Sequence, residues 1–129
     1  MNWNDLKHLH LTQKYYLFPR RKEVVESYDK FKSELNISID EYIKCILNKI
    51  EGNIVIRKND YPYDLEENIL HYVVWMKGDE SKEDVVNYLD NLTLLDYVLF
   101  ENVGELKSVP EIRHYHLFLL EKDVMRLQI

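Results

Sequence analysis

The chain has 129 residues, 46% of them hydrophobic and 31% charged, which is typical of one soluble globular domain that buries its own core. A formal net charge of −6 argues against a broad duplex-binding surface, because such a surface normally presents a basic face. Cys45 is the single cysteine, which excludes an internal disulfide and a cysteine-based zinc cluster and favours a reducing compartment. No apolar run approaches the roughly 18 residues of a membrane helix. We therefore expect a cytoplasmic protein without a membrane partner.

Residues 1–21 show no clear periodic pattern, and they lead into the basic triplet Arg20-Arg21-Lys22. We interpret the triplet as a solvated helix start rather than a phosphate site. His8 and His10 repeat an H-x-H spacing, but no strand pattern surrounds them. Both are interpreted as surface residues.

Residues 22–50 predict two helices, because apolar side chains recur three or four positions apart in two successive stripes. Ser38 followed by Glu41 is a capping-box pattern, so the second helix is expected to begin at Ile39. Gly52 is expected to end it. We interpret both helices as packing elements.

Four short segments rich in branched and aromatic residues predict strands, namely Asn53–Arg57, Ile69–Lys77, Leu95–Glu101 and Arg113–Leu120. A third helix is expected after the capping box Ser81-Lys-Glu-Asp84. This order predicts an α+β fold, a mainly antiparallel sheet packed by helices on one side. The whole chain 1–129 is expected to be one domain, with an N-terminal helical region at 1–52 and a core at 53–123.

The last predicted strand carries two histidines on one face. Strand side chains alternate, so His114, His116 and Phe118 point one way while Tyr115, Leu117 and Leu119 point the other. Imidazoles two residues apart on a strand lie roughly 6 to 7 Å from each other, close enough to act on one small ligand. The chain has neither a glycine-rich phosphate loop nor a G-x-S-x-G elbow. Any catalytic chemistry is therefore expected to use histidine.

Three blocks resemble the histidine-triad superfamily, especially aprataxin-like and scavenger decapping proteins. The blocks are Asn102-x-Gly104-x-x-x-Ser108-Val-Pro110-x-Ile-x-His114-x-His116-x-Phe118, the strand Ile69-Leu-His71-Tyr-Val-Val-Trp-Met-Lys77, and the segment Asn53–Tyr63 with its turn Asn59-Asp-Tyr-Pro-Tyr63. The chain is also similar to an uncharacterised domain family of fungi and large DNA viruses, which supplies no activity. The first resemblance implies a histidine-triad-like (HIT-like) core at 53–123.

The resemblance implies roles for individual residues. His114 matches the first triad histidine, and His116 matches the second, which in the superfamily attacks an α-phosphate. Phe118 stands where the third histidine is expected, and the loop from Gly104 to Pro110 is one residue longer than in the aprataxin pattern. Ser108 falls close to the leaving-phosphate contact.

The cations and the aromatic turn complete the candidate site. Lys107 is the favoured cation for the developing charge on phosphate, because alternation places Arg113 on the face away from the histidines. The turn that contains Asn59 and Tyr61 has two interpretations, a rigid aromatic turn at the edge of the core or the rim of a base or sugar pocket. Taken alone, His71 is interpreted as a core or edge histidine.

Three functions are compatible with these residues. The first is a nucleotide phosphohydrolase or nucleotidyl transferase that uses His116 as the nucleophile, with no metal and no other cofactor. The second is a binding module without turnover that holds a nucleotide, an RNA end or a protein. The third is a metal site formed by His71, His114 and His116. We favour the first, with the ligand between His71, Ser108, His114 and His116. The resemblance also allows a homodimer, since many superfamily members pair.

Overall fold

The computed structural model describes residues 1–92, 96–101, 109 and 111–127, with side chains to residue 124. Within these ranges the elements are α1 Trp3–Leu11, a 3-10 turn Tyr15–Leu17, α2 Lys22–Glu34, α3 Ile39–Asn48, β1 Ile54–Lys58, β2 Ile69–Met76, α4 Lys82–Asn91, β3 Tyr97–Phe100, β4 His114–Leu120 and α5 Glu121–Leu127. The predicted α+β class is confirmed. Among these helices, none combines the length and the apolarity needed to cross a membrane.

The strands form one antiparallel sheet in the order β1-β2-β4-β3. β2 and β4 therefore lie at its centre, and the predicted antiparallel arrangement is confirmed. In their register, His71 lies opposite Phe118, Val73 opposite His116 and Trp75 opposite His114. Residues directly opposite each other share a face of the sheet. The register therefore places His71, His116 and His114 on the same face.

The side-chain alternation predicted for β4 is also confirmed. Tyr115, Leu117 and Leu119 pack into one core cluster with Val85 and Leu89 of α4 on one face of the sheet. Leu89 and Leu117 are fully buried. This face is continuously apolar and serves as the main core.

The opposite face of the sheet carries two separate apolar clusters. The first cluster joins Phe118 to Leu6 of α1 and to Phe18. The second joins Trp75 to Leu47 of α3. Along β2 and β4, the three histidines occupy the positions between these clusters. The polar site therefore lies on a sheet face that is covered by apolar packing at both ends. We name this face, which carries His71, His114 and His116, the histidine face.

Helices cover both faces of the sheet, so the expectation of helices on one side is wrong. α4 covers the main core, while α1 and α3 cover the histidine face. The reason is physical: the histidine face is apolar at both ends, and those ends also need cover from water. Three short elements were not predicted: α1 and the 3-10 turn near the N-terminal end, and α5 directly after β4.

The helix starts follow their capping residues. Ser38 Oγ accepts the main-chain N–H of Glu41 at 3.1 Å, and α3 begins at Ile39 as predicted. At α4, Ser81 Oγ accepts the N–H of Asp84 at 3.1 Å while the Asp84 carboxylate accepts the N–H of Ser81 at 2.8 Å. Both predicted helix starts are confirmed. α3 ends at Asn48 with Lys49 as its C-cap, so the expectation that Gly52 ends the helix is wrong. Gly52 lies in the connection to β1, where its φ of +95° is a left-handed conformation that favours glycine.

Candidate functional site

The three predicted histidines lie close together on the histidine face of the sheet. His71, His114 and His116 expose 2%, 6% and 8% of their surface, respectively. The rings of His114 and His116 lie 5.8 Å apart, and the Nε2 atom of His71 lies 2.7 Å from the Nδ1 atom of His116. His71 is therefore linked to the H-x-H pair by a direct hydrogen bond across the two central strands.

Main-chain partners fix the direction of that hydrogen bond. The main-chain N–H of Tyr63 donates to Nδ1 of His71 at 3.2 Å, so this nitrogen carries no proton. The proton of a neutral His71 is consequently on Nε2, from which it is donated to Nδ1 of His116. The proton of a neutral His116 is then on its own Nε2. Three N–H groups thus point in the same direction, those of the Tyr63 main chain, of Nε2 of His71 and of Nε2 of His116.

His114 has the opposite arrangement. Its Nδ1 lies 2.8 Å from the main-chain carbonyl of Ile112, an oxygen that can only accept. Nδ1 therefore carries the proton, and Nε2 of a neutral His114 carries the lone pair. The two histidines of the H-x-H pair are thus held in different tautomers, His116 as a donor at Nε2 and His114 as an acceptor or nucleophile at Nε2.

Burial keeps His71 and His116 neutral. Loss of solvent lowers the pKa of His116 to about 3, with further lowering from His114 and from the positive charge of Arg20. The pKa of His71 is also held well below its ordinary value, first by burial and then by His116 and Arg20. His71 and His116 are therefore uncharged at physiological pH.

A cavity of about 160 Å³ opens onto His114 and His116. Three cationic side chains line it, Arg20, Arg57 and Lys58, against a single described carboxylate, that of Asp60. The cavity is therefore positively charged among the residues that the structure describes. Its chemistry suits an anion such as a phosphate group.

Arg20 is a site residue that the sequence did not identify. Its guanidinium lies 4.8 Å from the centre of the Tyr63 ring, and Nη2 is 3.5 Å from the Tyr63 hydroxyl. The Tyr63 ring in turn lies 5.5 Å from that of His116, at an interplanar angle of 22°. The basic triplet was the available signal, but only the tertiary fold brings its first arginine over this stack.

The aromatic turn lies beside the histidines. Asn59 Oδ1 accepts the main-chain N–H of Tyr61 at 2.8 Å, and Asn59 Nδ2 is 3.4 Å from Nε2 of His71. The contact of the same Nε2 with His116 is much shorter, so we assign its proton to that bond. Asn59 and Tyr61 both line the cavity. Tyr63 of the same turn belongs to a core cluster. The turn therefore borders both the core and the cavity, and its role as the rim of a base or sugar pocket stays a prediction.

Two predicted residues, Lys107 and Ser108, lie outside the described residues, as do Gly104 and Pro110. The described portion of the same block keeps its predicted arrangement, since Arg113 donates to the main-chain carbonyl of Glu80 at 2.6 Å, away from the cavity.

Phe118, which follows His114 and His116 on the same face of β4, is fully buried. Its ring lies 4.5 Å from that of His71 and 5.9 Å from that of Phe18. A phenyl ring supplies no hydrogen bond, so Phe118 contributes packing behind His71 rather than a third polar group.

The arrangement does not favour a metal. Within the described ranges, no group of three or more His, Cys, Asp or Glu side chains is placed to hold a metal ion. In addition, His71 and His116 direct ring nitrogens at each other, with the donor of one facing the acceptor of the other. The nitrogens of a metal site would instead converge on one point.

Comparisons with known proteins agree with the fold. N-acetylglucosamine-induced protein 1 of Candida albicans is 28% identical over 129 aligned positions, covering 84% of this chain and 50% of that protein. The chain therefore spans about half the length of this curated relative. The crystal structure of HTC1 has a TM-score of 0.74 at 18% identity, covering 98% of this chain and 92% of that chain. At that identity the likeness shows the fold alone.

The family is shown by a protein-family model that matches residues 2–120 of the chain. That model is described as "Protein of unknown function (DUF3605)". The match and the fungal relative confirm the expected likeness to an uncharacterised fungal family. The chain belongs to the DUF3605 family.

Proposed function

We propose that the cavity binds a nucleotide or a phosphorylated derivative, and that the histidines act at its phosphorus as a phosphohydrolase or nucleotidyl transferase. The observation that carries the proposal is the fixed tautomer of His114, whose Nδ1 proton is held by the carbonyl of Ile112. A histidine with its Nδ1 proton engaged has its lone pair at Nε2, as a nucleophile requires. The HIT-like resemblance belongs to this proposal.

The charge of the cavity supports binding of a phosphate. Arg20, Arg57 and Lys58 come from two different regions of the chain and line the same space as the H-x-H pair. Fixed cations and hydrogen-bond donors stabilise the charge that develops on a phosphoryl group. The Nε2 proton of His116 is one such donor, held in place through His71 and the main chain of Tyr63.

These hydrogen bonds favour a different division of roles from the one expected from sequence. The resemblance to the histidine-triad superfamily implied that His116 attacks. Because Nδ1 of His116 accepts from His71, its Nε2 carries a proton and cannot attack in that state. His114 is the better nucleophile, and His116 is the better donor to the phosphate oxygens.

The reaction proceeds in two steps. Nε2 of His114 forms a bond to phosphorus while the bond from phosphorus to the leaving oxygen breaks and the leaving group departs with the electron pair. Water then attacks phosphorus, the N–P bond breaks, and His114 recovers its lone pair as the water proton passes to solvent. Neutral His116 is a hydrogen-bond donor but a very weak acid. We therefore expect leaving groups that depart unprotonated, such as a phosphate or a nucleotide.

A binding module without turnover is the second candidate. Phe118 is buried where the resemblance places a third histidine, and His116 is held neutral, so no strong acid is evident among the described residues of the site. Such a cavity can hold a phosphorylated ligand without cleaving it. An RNA end as ligand, a homodimer and a cytoplasmic location stay predictions from the sequence.

The test is incubation with dinucleoside polyphosphates, cap analogues and nucleotide phosphoramidates, followed by intact-protein mass spectrometry and product analysis. We expect a nucleotidyl adduct or turnover with the anhydride substrates. His114→Asn should abolish both, and His116→Gln should slow turnover by roughly 100-fold, the size of effect seen when one charge-stabilising donor is removed. His8→Ala is the matched control, because His8 is exposed on α1.

The outcomes separate the two candidates. Turnover that survives His114→Asn would overturn the assignment of His114. Thermal protection by the same compounds without adduct or turnover would replace the enzyme by the binding module. If no compound of the panel protects the protein against heat, forms an adduct with it or is cleaved by it, the phosphate site itself is refuted.

A further inference from the structure

Four aromatic residues line the end of the cavity that faces the N-terminal helices, and we name them the ring cluster. They are Tyr28 and Phe31 of α2, Tyr42 of α3 and Tyr61 of the turn. The rings of Tyr28 and Tyr61 lie 4.8 Å apart, and those of Phe31 and Tyr42 lie 5.0 Å apart. The cavity therefore combines cations and histidines with an aromatic surface.

The ring cluster is not an ordinary portion of the core. All four residues are only half-buried, and none of them belongs to the three core clusters of the described residues. α2 contains no buried residue at all. A helix with an apolar stripe normally buries that stripe. Here the stripe of α2 ends at a cavity instead of a filled interior.

α3 provides a comparison within the same molecule. It buries Leu47, which is 3% exposed, and its Asp40 accepts the main-chain N–H of Glu111 at 3.0 Å. α3 is thus attached by core packing against the sheet and by a partly buried hydrogen bond to the segment just before β4. The described ring contacts that join α2 to the rest of the chain are those of Tyr28 and Phe31 with Tyr42 and Tyr61. Packing alone does not explain why the aromatic side chains of α2 face this space.

We propose that the ring cluster binds the aromatic ring of the ligand, so that α2 selects a phosphorylated compound carrying such a ring over a plain sugar phosphate. Aromatic side chains gain stacking and apolar contact with a planar ring that a sugar cannot provide. The cationic side chains in the same cavity, Arg20, Arg57 and Lys58, attract the phosphate of that ligand. The inference rests on the proposed function only for the position of the phosphate.

The experiment measures binding of three probes by calorimetry: AMP, ribose 5-phosphate, which lacks the ring, and adenosine, which lacks the phosphate. We expect AMP to bind wild-type protein on the order of tenfold or more tightly than ribose 5-phosphate, the fold-change that stacking of one base supplies. Phe31→Leu and Tyr28→Leu should each shrink this preference by several-fold and leave the affinity for ribose 5-phosphate unchanged. Tyr88→Leu is the control, because Tyr88 is 41% exposed on α4 and does not line the cavity.

Each outcome decides between the two proposals. If ribose 5-phosphate binds as tightly as AMP, or if both leucine variants keep the full preference, the ring cluster is not a ring site while the phosphate site stands. If adenosine binds as tightly as AMP and is weakened by Phe31→Leu, the ring site stands and the phosphate site fails. If none of the three probes binds, both are overturned.

Discussion

His71 and His116 are buried titratable side chains, so protonating either of them opposes folding. Their pKa values are lowered in the folded protein, to about 3 for His116. Below pH 6.5 the unfolded chain therefore binds more protons than the folded one. The free energy of unfolding is therefore not reduced by these two histidines above pH 6.5, and it decreases as the pH falls towards their lowered pKa values.

This linkage gives a measurable pH dependence. We expect His71 and His116 each to lower the free energy of unfolding by roughly 1 to 2 kcal/mol as the pH falls from 6.5 to 5. This range lies above that in which most carboxylates titrate. His116→Gln should flatten the dependence by about that amount, as measured by urea unfolding at several pH values. His8→Gln, a change on the exposed face of α1, should keep the wild-type profile. An unchanged profile in His116→Gln would mean that His116 is not held neutral.

Arg20 and its neighbour Arg21 form a matched pair for testing the phosphate site. Arg20 lines the cavity, whereas Arg21 donates from Nε to the Asp64 carboxylate at 2.9 Å outside it. Charged hydrogen bonds to a phosphate contribute about 1.5 to 3 kcal/mol. Arg20→Gln should therefore weaken AMP binding by roughly tenfold or more in calorimetry, and Arg21→Gln should leave it nearly unchanged. Equal losses in both variants would indicate a diffuse charge effect instead of a site.

At the residue scale, the sequence was informative where chemistry follows from strand alternation. The common face of His114 and His116 follows from a period of two, which needs no tertiary information. The hydrogen bond between His71 and His116 depends on the register between β2 and β4, which no local pattern contains. The position of Arg20 at the cavity also depends on the tertiary fold, because Arg20 lies in the loop between the 3-10 turn and α2. The tautomers, and with them the preference for His114, became visible only with the main-chain partners in place.

At the scale of elements, the strands and capped helices were predictable because their signals are local. α3 and α4 begin after serine caps, and the strands are rich in branched and aromatic residues. α1 was missed because its sequence WNDLKHLHL has a weak apolar period and buries only Leu6. Its start is signalled only by Asn2, whose side chain accepts the N–H of Asp5 at 2.8 Å. The position of α1 is accounted for by the packing of Leu6 into the apolar cluster that contains Phe18 and Phe118, not by local helix propensity.

The two helices over the cavity should differ in mobility. α2 buries no residue, whereas α3 buries Leu47 and is tied to Glu111 through Asp40. Local opening is easiest where few apolar contacts are buried. Hydrogen exchange by mass spectrometry should show α2 amides exchanging on the order of tenfold or more faster than α3 amides. AMP should slow α2 and leave α4, on the opposite face, unchanged. Equal protection of α2 and α3 without ligand would contradict this account of α2.

At the scale of the whole molecule, the two faces of the sheet divide the tasks. One face is a continuous apolar core under α4, and the other holds the histidines between two apolar clusters. A change in the main core should therefore alter stability without altering the site.

Leu89→Ala tests this division, because Leu89 is fully buried in the main core. We expect a loss of about 2 to 5 kcal/mol in unfolding free energy, from lost apolar burial and the cavity left behind. AMP binding measured below the unfolding transition should stay within about twofold of wild type, an energy difference of about 0.4 kcal/mol. Tyr88→Ala at the neighbouring exposed position should cost less than about 0.5 kcal/mol. A large loss of binding in folded Leu89→Ala would show that the two faces are coupled.

Hydrogen bonds hold His114 and His116 in opposite tautomers at the cavity. Long-range ¹H–¹⁵N NMR of the histidine rings between pH 5 and pH 8 tests it directly, with His114→Asn, His116→Gln and His71→Gln used for assignment. We expect a proton on Nδ1 of His114 and protons on Nε2 of His71 and His116. Neither His71 nor His116 should take up a second ring proton between pH 5 and pH 8. A proton on Nδ1 of His116, or titration of His116 near pH 6.5, would contradict it.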